Sequence, residues 1–298
     1  MFIYFYRFQK DKILSTIITI KKEEKNEGLE NYRNQNAQNE FSALKQYIDF
    51  DEAHKQRLVD INEFCRYSDI RTYKDNRVNI QSKHNYINAS WIHLPLEFYF
   101  IATQGPMEST IEDFWEMCYT YDIKVIVMIC NLTENGREKC ANYWDANLGK
   151  YKIVKENEKN LDDGLIKREF EMQNLQEKKA KIIFQIQLTT WDDHAAPISN
   201  YSKIIKMIQF IDKYRNINPV VVHCSAGVGR TGSFISMYNL YYEIMEQIRN
   251  PFISEIKFSV MNTVRKLKEM RLYLVENEKQ YLLLYEFVDK LLYEKNKK

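Results

Sequence analysis

Nothing in this 298-residue chain is spaced like a disulfide framework or a zinc site. Its five cysteines, Cys65, Cys118, Cys130, Cys140 and Cys224, are odd in number and scattered, with no Cys-x-x-Cys pair. A reducing, cytoplasmic compartment is therefore expected. The five histidines, His54, His84, His93, His194 and His223, show no metal-ligand spacing either. Charge of one sign is also lacking: 43 Lys and Arg against 41 Asp and Glu leave +2, which gives no reason to expect nucleic acid as a partner. There is no long apolar run. Met1 to Ile20 is apolar and aromatic, but Arg7, Lys10, Asp11 and Lys12 interrupt it, and a bilayer span needs about 20 apolar residues. The same segment lacks the basic start and small-residue cleavage site of a signal peptide, so integral membrane insertion is not expected. No internal repeat is evident. Glycine is scarce, at eight residues, and three of them (Gly227, Gly229 and Gly232) crowd into one short stretch.

That stretch is the most informative in the chain. Val220-Val221-Val222 is an apolar β-branched run that reads as a buried strand, and Ser233 to Ile248 reads as an amphipathic helix. Between them Cys224 is followed by five small or apolar residues and then Arg230. A strand, a tight loop and a helix N-terminus converge N–H groups and the positive end of a helix dipole on one point, forming an oxyanion cradle. Gly227 and Gly229 permit unusual backbone angles and remove side chains that would block a ligand. Cys224 opens the cradle, where the N–H groups, the helix and Arg230 favour thiolate over thiol. An isolated cysteine is most often an inert small hydrophobe. A cysteine in a phosphate cradle with an arginine for the equatorial oxygens points instead to phosphoryl transfer through a cysteinyl-phosphate.

His223-Cys224-Ser225-Ala226-Gly227-Val228-Gly229-Arg230-Thr231-Gly232 resembles the phosphate loop of the cysteine-dependent protein tyrosine phosphatases. The Cys-x5-Arg core alone is shared with dual-specificity, lipid and low-molecular-weight phosphatases, so the remaining motifs must discriminate. Cys65-Arg66-Tyr67-Ser68-Asp69-Ile70 resembles the family's Asn-Arg-Tyr-x-Asp loop. The resemblance implies that Tyr67 walls a deep phosphotyrosine cleft and that Asp69 accepts substrate backbone N–H groups. Cys65 replaces the family's asparagine, so a supporting hydrogen bond to the phosphate loop is expected to be missing. Trp191-Asp192-Asp193-His194-Ala195-Ala196-Pro197 resembles the Trp-Pro-Asp loop, with Asp193 at the general-acid position. Asp192 stands where the family has proline, which restores an N–H, frees the backbone and predicts slower loop closure. Glu134-Asn135-Gly136-Arg137-Glu138-Lys139-Cys140-Ala141-Asn142-Tyr143-Trp144 resembles the glutamate loop. There Glu134 is implied to orient Arg230 by a bidentate pair, and Lys139 to lie near the acid loop.

Val275-Glu276-Asn277-Glu278-Lys279-Gln280-Tyr281 aligns with the family's glutamine loop, which positions water for the second step. Gln280 falls on the second glutamine position, but Glu276 occupies the first, and an ionised carboxylate has no donor to offer. The resemblance further implies that Ser225, Ala226, Gly227, Val228 and Gly229 line the cradle. Thr231 is expected to donate its hydroxyl to the Cys224 sulfur, and His223 to tune loop and thiol through hydrogen bonds. Tyr86-Ile87-Asn88-Ala89-Ser90, Ile101-Ala102-Thr103-Gln104-Gly105-Pro106 and Thr110-Ile111-Glu112-Asp113-Phe114-Trp115 match scaffold motifs and read as packing.

The expected fold is α/β: a single domain with a twisted mixed β-sheet flanked by helices and the phosphate loop between a central strand and a helix. Residues 1–37 are expected to be an extension of unknown role, with a charged, Asn-rich linker over 21–40, and 38–296 the catalytic domain. Helices are predicted over 110–121, 200–215, 233–249, 254–270 and 277–294, with strands within 86–107, 125–129 and 150–191. The implied activity is hydrolysis of phosphotyrosine in proteins, with phosphotyrosine-containing proteins as partners and no metal or organic cofactor. Tyr67 argues against dual specificity, and the absence of lysine between Cys224 and Arg230 argues against a lipid substrate. A phosphotyrosine-binding pseudophosphatase is the rival, raised by Asp192, Glu276 and Cys65. Retention of Asp193 beside Cys224 and Arg230 favours the enzyme, because a binder needs the cradle but not the acid.

Overall fold

Val220–His223 is buried on both faces inside a seven-stranded sheet, as its apolar composition requires. The computed structural model describes residues 16–22, 27–61, 63–95, 98–191 and 201–296. Along the chain run β1 (Ile18–Lys21), α1 (Glu27–Leu44), a π-helical turn (Lys45–Asp49), α2 (Glu52–Gln56), β2 (Ala89–Leu94), β3 (Phe98–Thr103) and α3 (Ile111–Thr120). There follow β4 (Val125–Met128), β5 (Thr133–Glu134), β6 (Arg137–Glu138), β7 (Tyr151–Asp162), β8 (Leu165–Asn174), β9 (Lys179–Leu188) and α4 (Tyr201–Tyr214). The chain ends with β10 (Val220–His223), α5 (Gly229–Arg249), β11 (Glu255–Phe258), α6 (Val260–Met270) and α7 (Glu278–Asn296).

The large sheet has the order β2-β3-β10-β4-β9-β8-β7. Strands β3, β10, β4 and β9 are parallel. β2 joins antiparallel at one edge and the β7–β8 hairpin at the other, so the sheet is mixed as expected. Val222 stands opposite Ala102 on one side and Val127 on the other, which places β10 among its most buried members. Ligands of such sheets bind beyond the carboxyl ends of the strands, and Cys224 leaves β10 at that end.

Three sequence expectations need correction. The linker expected over 21–40 is largely α1, and a boundary at residue 37 falls inside that helix. Its Asn- and Glu-rich composition conceals a narrow inner face of Leu29, Ala37, Phe41 and Leu44. Glu40 on that face is buried and accepts hydrogen bonds from the hydroxyls of Tyr32 (2.7 Å), Tyr281 (2.7 Å) and Tyr285 (2.6 Å). A charged residue thus docks α1 onto α7, and periodicity counted on apolar residues misses it. Glu40→Ala leaves the hydroxyls of two fully buried tyrosines without their acceptor. The expected loss is about 3 kcal/mol of stability, read as a lower urea midpoint with unchanged slope.

Secondly, residues 255–258 form a strand and not the start of a helix. Ile256 and Phe258 face Ile20 and Ile18 across a two-stranded ribbon, and Ser259 then caps α6 by accepting from the Asn262 N–H at 3.0 Å. Thirdly, α5 begins at Gly229 instead of residue 233, bringing its N-terminus directly against the loop.

Candidate active site

The loop after β10 is held from behind, carbonyl by carbonyl. The Cys224 oxygen lies 3.1 Å from His223 Nδ1, the Ser225 oxygen accepts from the Gly105 N–H (2.8 Å), and the Ala226 and Gly227 oxygens accept from Arg271 (3.2 and 2.9 Å). In a trans peptide the N–H of the next residue points opposite to the carbonyl. Holding these four oxygens therefore turns the N–H groups of Ser225, Ala226, Gly227 and Val228 the other way, and none of them donates to a backbone carbonyl among the described residues. The strand-to-helix turn that achieves this requires glycine at 227. Its φ is +72°, and a Cβ there would lie 2.1 Å from the Thr103 oxygen.

Above these donors opens a pocket of about 440 Å³ lined by Cys224, Ser225, Ala226, Gly229, Arg230, Tyr67, Asp69, Lys139 and Glu276 among others. The structure thus gathers most of the residues read from the sequence. Tyr67 is partly exposed at the rim, with its hydroxyl 3.0 Å from Ser225 Oγ. Its neighbour Arg66 fixes the rim by donating to the Gly105 and Pro106 carbonyls (3.0 and 2.7 Å). Asp69 is exposed at the same rim.

Arg230 is buried and paired with Glu134 through two bonds of 2.7 and 2.9 Å, with a third to the Trp191 carbonyl at 2.9 Å. Burial opposes its charge, but the Glu134 hydrogen bonds and the neighbouring Cys224 outweigh it and keep the guanidinium protonated. Glu134 owes its position to the two-residue hairpin between β5 and β6. Asn135 (φ +50°) and Gly136 (φ +71°) supply the two left-handed residues that such a turn demands. Trp191, buried, ends the described chain on this side; Asp192 and Asp193 lie outside the described residues.

Gln280 and Glu276 both reach the loop. A Cβ on Gly229 would meet Gln280 Nε2 at 2.7 Å and Glu276 Oε2 at 2.9 Å, so a larger residue there would displace both side-chain ends from the loop. Gln280 Oε1 accepts from the Glu276 N–H (2.9 Å), which leaves its Nε2 on the Gly229 side. Behind the loop, His223 is fully buried, with Nε2 2.9 Å from Tyr143 Oη. The Thr231 hydroxyl does not make the expected bond to the Cys224 sulfur: it is buried with no hydrogen-bond partner among the described residues.

Two supports were not legible in the sequence. Arg271 is completely buried and bonds Asn88 Oδ1 (2.8 Å) and Ser90 Oγ (3.2 Å) besides the two loop carbonyls. No motif marks it. Asn88 in turn donates to Cys65 Sγ (3.2 Å), whose sulfur lies 3.0 Å from Tyr86 Oη. Cys65 therefore still reaches the phosphate loop, by way of Asn88 and Arg271, and a string read as mere packing carries that support.

The protein-tyrosine phosphatase family model matches residues 61–290. The chain belongs to this family. It is 35% identical over 236 residues to human tyrosine-protein phosphatase non-receptor type 20, covering 76% of this chain and 54% of that protein. Tyrosine-protein phosphatase 2 of Dictyostelium discoideum is 38% identical over 160 residues, covering 52% and 41%. The chain thus spans about half the length of these curated phosphatases. The solved catalytic domain of human protein tyrosine phosphatase non-receptor type 18 superposes with a TM-score of 0.77 at 27% identity, covering 89% of this chain and 99% of that one. The same phosphatase in complex with a HER2 phosphopeptide gives 0.76 at 28% identity, covering 86% and 99%. The fold is that of a tyrosine phosphatase catalytic domain. No described helix is long and apolar enough to cross a membrane.

Proposed function

We propose that the chain hydrolyses phosphotyrosine in proteins through a cysteinyl-phosphate on Cys224. The observation that carries this reading is the cradle itself: four loop carbonyls held from behind, with Arg230 locked by Glu134 beside Cys224. Cys224 attacks phosphorus, and the loop N–H groups with Arg230 stabilise the transition state. Asp193 protonates the tyrosine oxygen as the P–O bond breaks. A water held by Gln280 then displaces the cysteine, with Asp193 as base. Tyr67 at the rim suits the length of an aryl phosphate, and a relative of the same fold binds a phosphopeptide. The decisive experiment compares aryl phosphate turnover by wild type and Cys224→Ser. Turnover confined to wild type is expected; a wild type no faster than the variant makes the chain a binding module.

Glu276 supports a second reading, a phosphotyrosine-binding pseudophosphatase. Its carboxylate lies against Gly229 in the pocket that Cys224 shares, and it lacks a donor. In an active enzyme the second step is therefore slow, and rapid-mix kinetics should show a burst of phenol release close to one per enzyme. Glu276→Gln supplies the missing donor, worth about 1.5 kcal/mol. Steady-state turnover is expected to rise roughly tenfold and the burst to shrink; an unchanged burst removes Glu276 from the second step.

A further inference from the structure

We propose that Arg168, on β8, fixes the tautomer of His223 through Gln185 and Tyr143 and so serves as a positioning residue for the nucleophile loop. The proposal deepens the phosphatase reading and rests on it. Arg168 offers donors only. Its Nη1 donates to Gln185 Oε1 (2.7 Å) and Gln187 Oε1 (2.6 Å), and its Nε donates to Glu158 Oε2 (2.7 Å). Its guanidinium also lies over the Trp144 ring, 4.6 Å from the centroid. The oxygen of Gln185 must face this donor, because a flipped amide would set N–H against N–H. Gln185 Nε2 is thereby turned to Tyr143 and donates to its hydroxyl oxygen.

With that lone pair used, Tyr143 donates its own hydrogen. His223 Nε2 at 2.9 Å is the strong acceptor in reach, the Met128 sulfur at 3.8 Å the weak one. Nε2 is thus unprotonated, and the ring hydrogen sits on Nδ1, where it is donated to the Cys224 carbonyl at 3.1 Å. The polarity of the chain runs one way, from a donor-only side chain to the peptide that turns the Ser225 N–H into the cradle. Gln185, Tyr143 and His223 are fully buried, which leaves the inner links without solvent to replace a lost partner. Burial pushes the Tyr143 hydroxyl up, so it keeps its hydrogen. Burial also pushes up the Cys130 thiol, which faces the His223 ring, and it stays neutral. Glu158, half exposed, holds the far end of Arg168 at the surface.

The test is a two-bond ¹⁵N–¹H correlation on histidine-labelled protein, with the His223 signals assigned from His223→Gln. Wild type should show a neutral ring with its hydrogen on Nδ1. Gln185→Glu places an acceptor on both Arg168 and Tyr143, so the Tyr143 hydrogen turns away and Nε2 becomes protonated. Alkylation of Cys224 by iodoacetate at pH 6 should then slow roughly tenfold, the upper worth of one lost hydrogen bond. Arg168→Lys keeps a donor-only group and should retain the Nδ1 hydrogen, whereas Arg168→Met should give mixed tautomers. Wild-type His223 with its hydrogen on Nε2 overturns the proposal, as does a wild-type pattern in Gln185→Glu or in Arg168→Met. If Gln185→Glu fails to fold, the wild-type spectrum and the two Arg168 variants decide. None of these signals needs turnover, so a protein that binds phosphotyrosine without cleaving it fails the phosphatase reading and leaves this one to be judged by itself.

Discussion

Replacing Arg230 by lysine is expected to lower kcat/KM for an aryl phosphate by about 10³-fold or more, with most of the loss in kcat. Two guanidinium nitrogens engage the two Glu134 oxygens, and one of them also reaches the Trp191 carbonyl. A lysine ammonium is a single point charge that cannot span a carboxylate and still present a planar fork to a phosphate. The charge of a transferring phosphoryl group spreads over its equatorial oxygens, so a planar pair of donors counts most at the transition state. The Trp191 contact adds a second route to the loss. It ties the arginine to buried Trp191, so a misplaced cation also loses its hold on that carbonyl. Steady-state kinetics with an aryl phosphate and a phosphotyrosine peptide check this, beside a urea midpoint to exclude unfolding. A fall smaller than tenfold in a folded variant would remove Arg230 from the transition-state role.

The cradle was legible because its parts are close in sequence. Cys224, Arg230 and the glycines between them lie within one seven-residue stretch, and the Asn135-Gly136 turn beside Glu134 is fixed by local backbone preference. Parallel strands were legible from β-branched runs such as Val125–Met128. What escaped depends on partners far away in the chain. Glu40 is buried only because three tyrosine hydroxyls, two of them on α7, converge on it. The strand at Glu255–Phe258 exists because Ile18–Lys21 lies beside it, and its four residues carry no helix-breaking signal of their own. The identity of Cys65 alone predicts a lost support, whereas the sulfur keeps two polar neighbours. Thr231 shows the opposite error, a bond expected from a resemblance that this geometry does not contain.

Arg271→Met should be the more instructive loss, because stability and catalysis ought to fall for separable reasons. Burial pulls the Arg271 guanidinium down to about 10, still charged at neutral pH. The folded value lies below the unfolded one, so the protein bears this penalty fully below pH 10 and is relieved of it only as pH rises beyond that. The shift corresponds to about 3 kcal/mol against folding at pH 7. Methionine fills similar volume and removes that cost. It also leaves the Ala226 and Gly227 carbonyls, Asn88 Oδ1 and Ser90 Oγ without their donor. Each lost partner costs about 1–3 kcal/mol, so the four together outweigh the relief and a net loss of roughly 1–9 kcal/mol is expected. Catalysis falls by a different route. Two freed carbonyls no longer fix the N–H groups of Gly227 and Val228, and a misplacement near 1 Å costs about 10²-fold in rate. Urea unfolding measures the first effect, and kcat/KM at a temperature where the variant remains folded measures the second. A destabilised variant with wild-type kcat/KM would show that Arg271 only fills the core, and that the cradle keeps its shape from Gly105 and His223 alone.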